Sequence, residues 1–94
     1  MRDQFTDSKS DLLTEEEIKG VNQILLQELG VKPEQLDPGA ALDADLGADS
    51  LTKVEIVMAL EEKFQVTVPD ELSERVQTVD DVYDALATVL GRGV

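Results

Sequence analysis

Ser50 is placed where its hydroxyl could do chemistry, because a loop rich in aspartate and glycine gives way at this residue to a helical pattern. A serine hydroxyl can cap a helix, act as a nucleophile or accept a covalent attachment. Asp49 could cap the helix equally well, since its carboxylate accepts backbone N–H groups. With Asp49 as the cap, Ser50 falls at the first helical position with a free hydroxyl, which favours an attachment point.

Catalysis by Ser50 is disfavoured by the composition. The chain contains no His and no Cys, which removes imidazole bases, thiol nucleophiles, disulfides and most zinc sites. Lys53 could pair with Ser50, but so small a domain leaves no pocket or oxyanion hole for such a pair. We therefore predict that the protein is not an enzyme and that any thiol chemistry comes from a cofactor.

The aspartates before Ser50 resemble a calcium loop only at first sight. Asp43, Asp45 and Asp49 occur at alternate positions, but Gly47 stands at the fifth position of the pattern. The twelfth position, which needs a bidentate Glu, is Val54. We predict no metal site.

The net charge restricts the partners. Eight basic residues against 21 acidic ones give a formal charge of −13, which would repel nucleic-acid phosphates and anionic lipid surfaces. Partners should therefore present basic patches. No segment approaches the ~20 apolar residues of a membrane span, and the first residues lack the apolar run of a signal peptide. We expect a cytoplasmic monomer that binds neither nucleic acid nor membranes.

A single small domain with an aliphatic core must position Ser50. The chain has 94 residues and no Trp, and its aromatic residues are Phe5, Phe64 and Tyr83. Such a composition favours packed helices. The periodicity divides the chain into a flexible N-terminal extension, a folded domain and a flexible C-terminal tail, at residues 1–13, 14–90 and 91–94.

Capping signals mark the first and last helices. Thr14 and Glu17 form a capping box that starts a helix over about 14–29, and Gly30 suits the left-handed residue after its end. Thr78 and Asp81 cap the last helix in the same way.

The central part of the sequence predicts one long helix and one short helix. The long helix covers about 50–64, and the short turn of helix runs from Pro69 to Leu72. The segment between them alternates like a strand, but no partner strand exists, so it is predicted to be an extended link. The fold prediction is an all-α, small four-helix bundle of three main helices and one short helix, with a long loop between helices one and two.

The second helix carries two apolar stripes instead of one. A core stripe is formed by Ile56, Val57, Leu60 and Phe64. The opposite side, which should be polar, carries Leu51, Val54 and Met58, with Glu55, Glu61 and Glu62 beside them. This outer stripe either lies under another part of the chain or forms a docking face with an apolar centre and an acidic rim.

The run "DLGADSL" (residues 45–51), which continues into "VEIVMALEEKF", closely resembles the acyl carrier proteins of dissociated (type II) fatty acid synthesis. The similarity covers about residues 14–90. Its most specific element is Asp49-Ser50-Leu51 at the start of the second helix, after Gly47. The resemblance implies that the protein is a non-catalytic carrier.

The resemblance also implies the cofactor and the partners. Ser50 would receive a 4'-phosphopantetheine arm from coenzyme A through a pantetheinyl transferase (holo-synthase), with Asp49 and Leu51 beside it. The arm would carry acyl chains as thioesters to fatty acid synthase-type enzymes and acyltransferases that have basic docking patches. The second helix would be the docking surface, and the acyl chain would lie in a cavity between helices for which Leu46, Ile56 and Leu60 are the candidate lining residues.

Two features depart from this family. Many fatty acid carriers have an acidic residue and Thr directly after the attachment motif, whereas this chain has Thr52 and Lys53. The N-terminal dozen residues also resemble an addition. A specialised polyketide or other secondary-pathway carrier is therefore an alternative, and an unmodified helical interaction module is a second one. Peptidyl carriers more often have Gly-Gly-x-Ser at this place, which favours acyl cargo.

Overall fold

The structure is a computed structural model that describes residues 12–92. Four α-helices follow one another in this part of the chain: α1 (Glu15–Leu29), α2 (Ser50–Phe64), α3 (Asp70–Glu74) and α4 (Val79–Val89). The loop between α1 and α2 contains a short 3-10 helix, Pro33–Gln35. No strand forms within residues 12–92, so the prediction of a small all-α bundle is confirmed.

Both predicted capping boxes are present. The Glu17 amide donates to Thr14 Oγ1 (3.2 Å), and the Thr14 amide donates to Glu17 Oε1 (2.8 Å). Thr78 and Asp81 exchange the same two bonds, each of 3.1 Å, at the start of α4. Gly30 follows the end of α1 in the left-handed conformation, with φ 68°, as predicted for a glycine at this position.

The core is aliphatic, and α1, α2 and α4 all contribute side chains to it. Its fully buried side chains include Leu25 of α1, Leu60 of α2 and Leu86 of α4. Tyr83 is the buried aromatic residue, and its hydroxyl donates to Asn22 Oδ1 at 2.7 Å, which joins α4 to α1. Burial raises the pKa of this hydroxyl. One predicted core residue differs, because Val57 is partly exposed and lies outside the core cluster.

The long loop is fastened to the start of α4. The Leu42 amide donates to the carbonyl oxygen of Gln77 (2.8 Å), and the Val79 amide donates to that of Ala40 (3.1 Å). Leu42 and Leu46 are buried in the core. The loop therefore enters α2 from a fixed position, although it has no sustained helix or strand.

The link from α2 to α3, predicted to be extended, forms neither helix nor strand. It begins at Gln65, a residue with φ 56°, and the amide of Val68 donates to Glu61 Oε2 at 2.8 Å. The short third helix begins at Asp70 and ends at Glu74, two residues beyond its predicted end.

The ends of the described chain are more tightly held than the sequence suggests. Leu13 is 8% exposed and belongs to the core, and Leu12 packs against it, although both fall in the predicted flexible extension. Arg92, in the predicted tail, forms an ion pair with Glu17. The folded body therefore begins at least two residues earlier than predicted, because these leucines supply apolar area to a small core. The rest of the predicted extension and tail, residues 1–11 and 93–94, lies outside the described residues.

Within residues 12–92, no helix is both long enough and apolar enough to cross a bilayer.

Candidate functional site

Ser50 is the first residue of α2, and Asp49 is the residue that caps the helix. Asp49 Oδ1 accepts the Thr52 amide at 2.8 Å and the Thr52 hydroxyl at 2.9 Å. The backbone of Asp49 is extended, which is the usual conformation of a capping residue. The helix is therefore capped without any contribution from Ser50.

The Asp49 carboxylate is held in its charged form. The bonds from the Thr52 amide and then the Thr52 hydroxyl lower the pKa of Asp49 below its usual value, because both groups donate to the ionised oxygen. Asp49 is consequently a charged cap at neutral pH, beside the hydroxyl of Ser50.

The side chain of Ser50 is exposed to solvent. Its hydroxyl takes part in no hydrogen bond with any other residue between positions 12 and 92. A hydroxyl at the end of a helix with open space around it can be reached by a separate enzyme. Within residues 12–92, no side chain accepts a hydrogen bond from this hydroxyl, and the neighbouring Asp49 carboxylate is occupied by Thr52.

The turn before Ser50 is held by backbone hydrogen bonds. Gly47 adopts φ 78°, a conformation that a residue with a Cβ atom rarely takes, and its amide donates to the carbonyl oxygen of Asp43 at 3.1 Å. The next residue, Ala48, is buried, and its amide donates to the carbonyl oxygen of Leu42 at 2.7 Å. The run of small residues before Asp49 therefore folds the loop tightly under the start of α2.

Lys53 connects this turn to α2. Its Nζ atom lies 3.6 Å from Asp43 Oδ2. The bond from the Ala44 amide and then the charge of Lys53 lower the pKa of Asp43 below its usual value. The first turn of α2 contains no acidic residue, whereas the first turns of α1, α3 and α4 each contain at least two.

The outer stripe of α2 is exposed. Leu51 is 65% exposed, Val54 49% and Met58 59%, and these are the large apolar side chains that the described residues leave open to solvent. Neither the long loop nor α3 covers them. The structure therefore agrees with an exposed outer stripe and does not agree with a stripe that lies under another part of the chain.

An open cleft adjoins this stripe, with a volume of about 550 Å³. Four carboxylates, one methionine and one alanine line it: Glu28, Glu55, Glu61, Glu62, Met58 and Ala59. Glu28 belongs to α1 and was not a candidate from the sequence, since only the packing of α1 against α2 brings it here. Glu61 is less available than predicted, because it is partly buried and holds the Val68 amide.

The three candidate lining residues of an acyl cavity lie in the core. Leu46, Ile56 and Leu60 are all buried and belong to one cluster of packed side chains. Ile56 and Leu60 share the inner face of α2, and Leu46 comes from the turn just before the helix. Leu46 and Ile56 are thus near the end of the bundle where Ser50 lies, whereas Leu60 is about 15 Å further along α2 from Ser50. The burial of all three agrees equally with a plain core role.

Comparison with protein families gives an independent result. A family model described as a phosphopantetheine attachment site matches residues 19–86 of this chain. The matched region extends from the second turn of α1 to the middle of α4, and it includes Ser50 and both stripes of α2.

Proposed function

We propose that this chain, which belongs to the phosphopantetheine attachment site family, is an acyl carrier protein whose attachment residue is Ser50. Proteins of this family carry a covalently attached 4'-phosphopantetheine and are generally not catalysts. Carriers of this kind interact with acyl chains and with the enzymes that modify or use them. The proposal concerns the residue that holds the arm, the surface that partners recognise and the pathway that the carrier serves.

The exposed and unbonded hydroxyl of Ser50 is the observation that carries the proposal. Asp49 satisfies the helix cap, so the structure has no need of this hydroxyl. The start of a helix also carries a partial positive charge, an environment that favours a phosphate. The residues present therefore fit a phosphodiester on Ser50. When bound, the group supplies a thiol that carries acyl chains as thioesters, which a chain without cysteine cannot supply itself.

The partner surface in this proposal is the outer stripe of α2 with its acidic rim. Leu51, Val54 and Met58 provide the apolar centre, and Glu55 and Glu62 provide exposed charge. Because this surface begins one residue after Ser50, an enzyme docked on it would have the attachment point at its edge. Partner enzymes with basic patches, including the pantetheinyl transferase, would be attracted to it.

Fatty acid synthesis of the dissociated type is the pathway that we propose, on the strength of the run from Asp45 to Leu51. A specialised pathway, such as polyketide synthesis, is the second candidate. Thr52 and Lys53 favour it, since they leave the first turn of α2 without an acidic residue. The acyl group found on the modified protein after incubation with a cell extract distinguishes the two pathways by its mass.

The test of the attachment residue is Ser50→Ala. The chain is incubated with coenzyme A and a pantetheinyl transferase, and its intact mass is measured. The unaltered protein should gain the mass of one phosphopantetheine, and Ser50→Ala should gain nothing while melting near the unaltered protein, because Asp49 still caps α2. Ser73→Ala is the matched control and should be modified normally.

Two outcomes would contradict the proposal. Modification of Ser50→Ala would place the attachment elsewhere. An unaltered protein that gains no mass under conditions that modify a known carrier would favour the third interpretation, a helical interaction module that carries no arm.

A further inference from the structure

Lys53 is an isolated positive charge near the proposed attachment point. It is the only Lys or Arg between residues 33 and 62. Asp43, Asp45 and Asp49 lie in the same turn and at the start of α2, and all three are exposed. In the described structure Lys53 is paired with Asp43 alone. Lys53 is therefore the single positive charge among the aspartates at this end of the described structure.

A phosphodiester on Ser50 would change the charge at this end. It carries one negative charge at neutral pH, and it would be added beside carboxylates that already repel one another. Ser50 and Lys53 are three residues apart in α2, so their side chains leave the same side of the helix, with Cβ atoms ~5–6 Å apart. A lysine side chain reaches across that separation. The carboxylates of Asp45 and Asp49 accept hydrogen bonds from the amides of Ala41 and Thr52, and neither forms an ion pair with Lys53 in the described structure.

The ion pair between Lys53 and Asp43 is weak enough for Lys53 to change its partner from Asp43 to a phosphate. Its distance of 3.6 Å is long for a charge-assisted hydrogen bond, and the Asp43 side chain is 61% exposed. Exposed ion pairs of this kind contribute little to stability, so the cation can leave Asp43 at small cost. Asp43 would keep the bond from the Ala44 amide, at 2.6 Å.

We propose that Lys53 is the counter-ion of the phosphodiester on Ser50, and that modification draws Lys53 from Asp43 to the phosphate. The inference rests on the proposed attachment at Ser50. Lys53 is a positioning residue in this scheme, since it orients the first atoms of the arm. Before modification it ties the turn at Asp43 to α2, and after modification that tie is released.

The experiment compares the thermal effect of modification in four proteins: the unaltered chain, Lys53→Gln, Lys53→Arg and Lys19→Gln. Each is melted with and without phosphopantetheine on Ser50. Lys19→Gln is the charge-matched control, because Lys19 is exposed beside Lys63 and Phe64 at the far end of α2. That end is about 20 Å from Ser50 for a helix of this length.

We expect modification to lower the melting temperature of Lys53→Gln by up to about 4 °C more than that of the unaltered protein, because the unaltered protein exchanges its long pair with Asp43 for a closer pair with the phosphate. Lys19→Gln should respond as the unaltered protein does, and Lys53→Arg should restore the normal response. High salt should reduce the difference, since both groups are in contact with solvent. The ³¹P chemical shift of the phosphodiester should change in Lys53→Gln and in neither other variant.

An equal effect of modification on the unaltered protein and on Lys53→Gln, with an unchanged ³¹P shift, would overturn the inference. Intact mass separates this failure from failure of the proposed function. Proteins that gain the arm on Ser50 but show no dependence on Lys53 reject the counter-ion alone. A protein that gains no arm rejects the attachment residue and the counter-ion together.

Discussion

The helices α2 and α4 use their apolar residues in different ways. In α4, six of eleven residues are buried, and they come from one continuous face. In α2, only Ile56 and Leu60 are buried out of fifteen residues, while three large apolar side chains, Leu51, Val54 and Met58, are exposed. The helix that holds the core together is thus distinct from the helix that starts at Ser50.

This difference separates the residues that stabilise the fold from the residues that are available for binding. Burial of an aliphatic side chain contributes about 1.5–3 kcal/mol to stability, so α4 is needed for the fold. Exposed apolar residues on α2 contribute little to folding, and their clustering marks a surface available to another molecule. Substitutions on the two helices, and a change of pH, test this contrast.

The largest effect should separate Leu86 of α4 from Met58 of α2. Leu86→Ala should reduce the free energy of unfolding by about 2–5 kcal/mol, because a fully buried leucine leaves a cavity. Met58→Ala should change it by less than about 0.5 kcal/mol, since the side chain is exposed. Urea unfolding followed by circular dichroism measures both.

Leu60→Ala is the control within α2 itself, because Leu60 lies on the buried face of the same helix. It should behave as Leu86→Ala does. If Met58→Ala destabilises the protein as severely as Leu60→Ala, the outer stripe is part of the core and the contrast between the helices disappears.

A smaller effect should appear when charges on the rim of α2 are reversed. Glu55→Lys should weaken association with the pantetheinyl transferase by roughly 0.2–1 kcal/mol, the usual contribution of one exposed charge pair. Adding Glu62→Lys should weaken it further without unfolding the domain. Loading rates at several salt concentrations measure the effect, and the salt dependence of the association rate should fall with each reversal.

The matched control for this series is Glu34→Lys, which makes the same change in net charge on the exposed 3-10 helix. A loading rate that falls as much for Glu34→Lys as for Glu55→Lys would show that net charge, and no particular face of α2, attracts the enzyme.

The smallest effect concerns pH and the cap of α2. Asp49 has a lowered pKa in the folded protein, so its ionised form stabilises the fold above its unfolded-state pKa of about 3.9. That contribution is lost as the pH falls through the lower, folded-state value. Asp49→Asn keeps the acceptor for the Thr52 amide but cannot titrate.

Thermal melts of the unaltered protein and Asp49→Asn between pH 7 and pH 2 check this prediction. The unaltered protein should melt at the higher temperature at pH 7, and the gap should close below about pH 4. A gap that stays constant on acidification would mean that the charge of Asp49 does not stabilise α2.

Much of this structure could be predicted from the sequence where the controlling interactions are local. Thr14 and Glu17, like Thr78 and Asp81, act over three residues, so the helix starts that they cap are visible in the sequence. The start of α2 at Ser50 follows from Asp49 for the same reason. The exposure of Ser50 then follows from its position before the first core residue of the helix.

The features that the sequence did not reveal involve residues distant along the chain. Glu28 reaches the cleft beside Met58 because α1 packs on α2, and no local pattern identifies it. Leu13 has no periodic neighbours, yet it is buried by the rest of the core. The pair of Asp43 and Lys53 depends on how the turn folds back on the helix.

The sequence by itself determined the helix register, the caps, the acidic surface and the position of Ser50, because each depends on residue type and short spacing. Only the tertiary structure decided whether the outer stripe of α2 is covered. Helical periodicity identified the core stripe, but both stripes are apolar, and no local pattern shows whether a distant segment lies over the second one. The outcome depends on where α1, α4 and the long loop lie, and they bury Ile56 and Leu60 and leave Leu51, Val54 and Met58 in solvent.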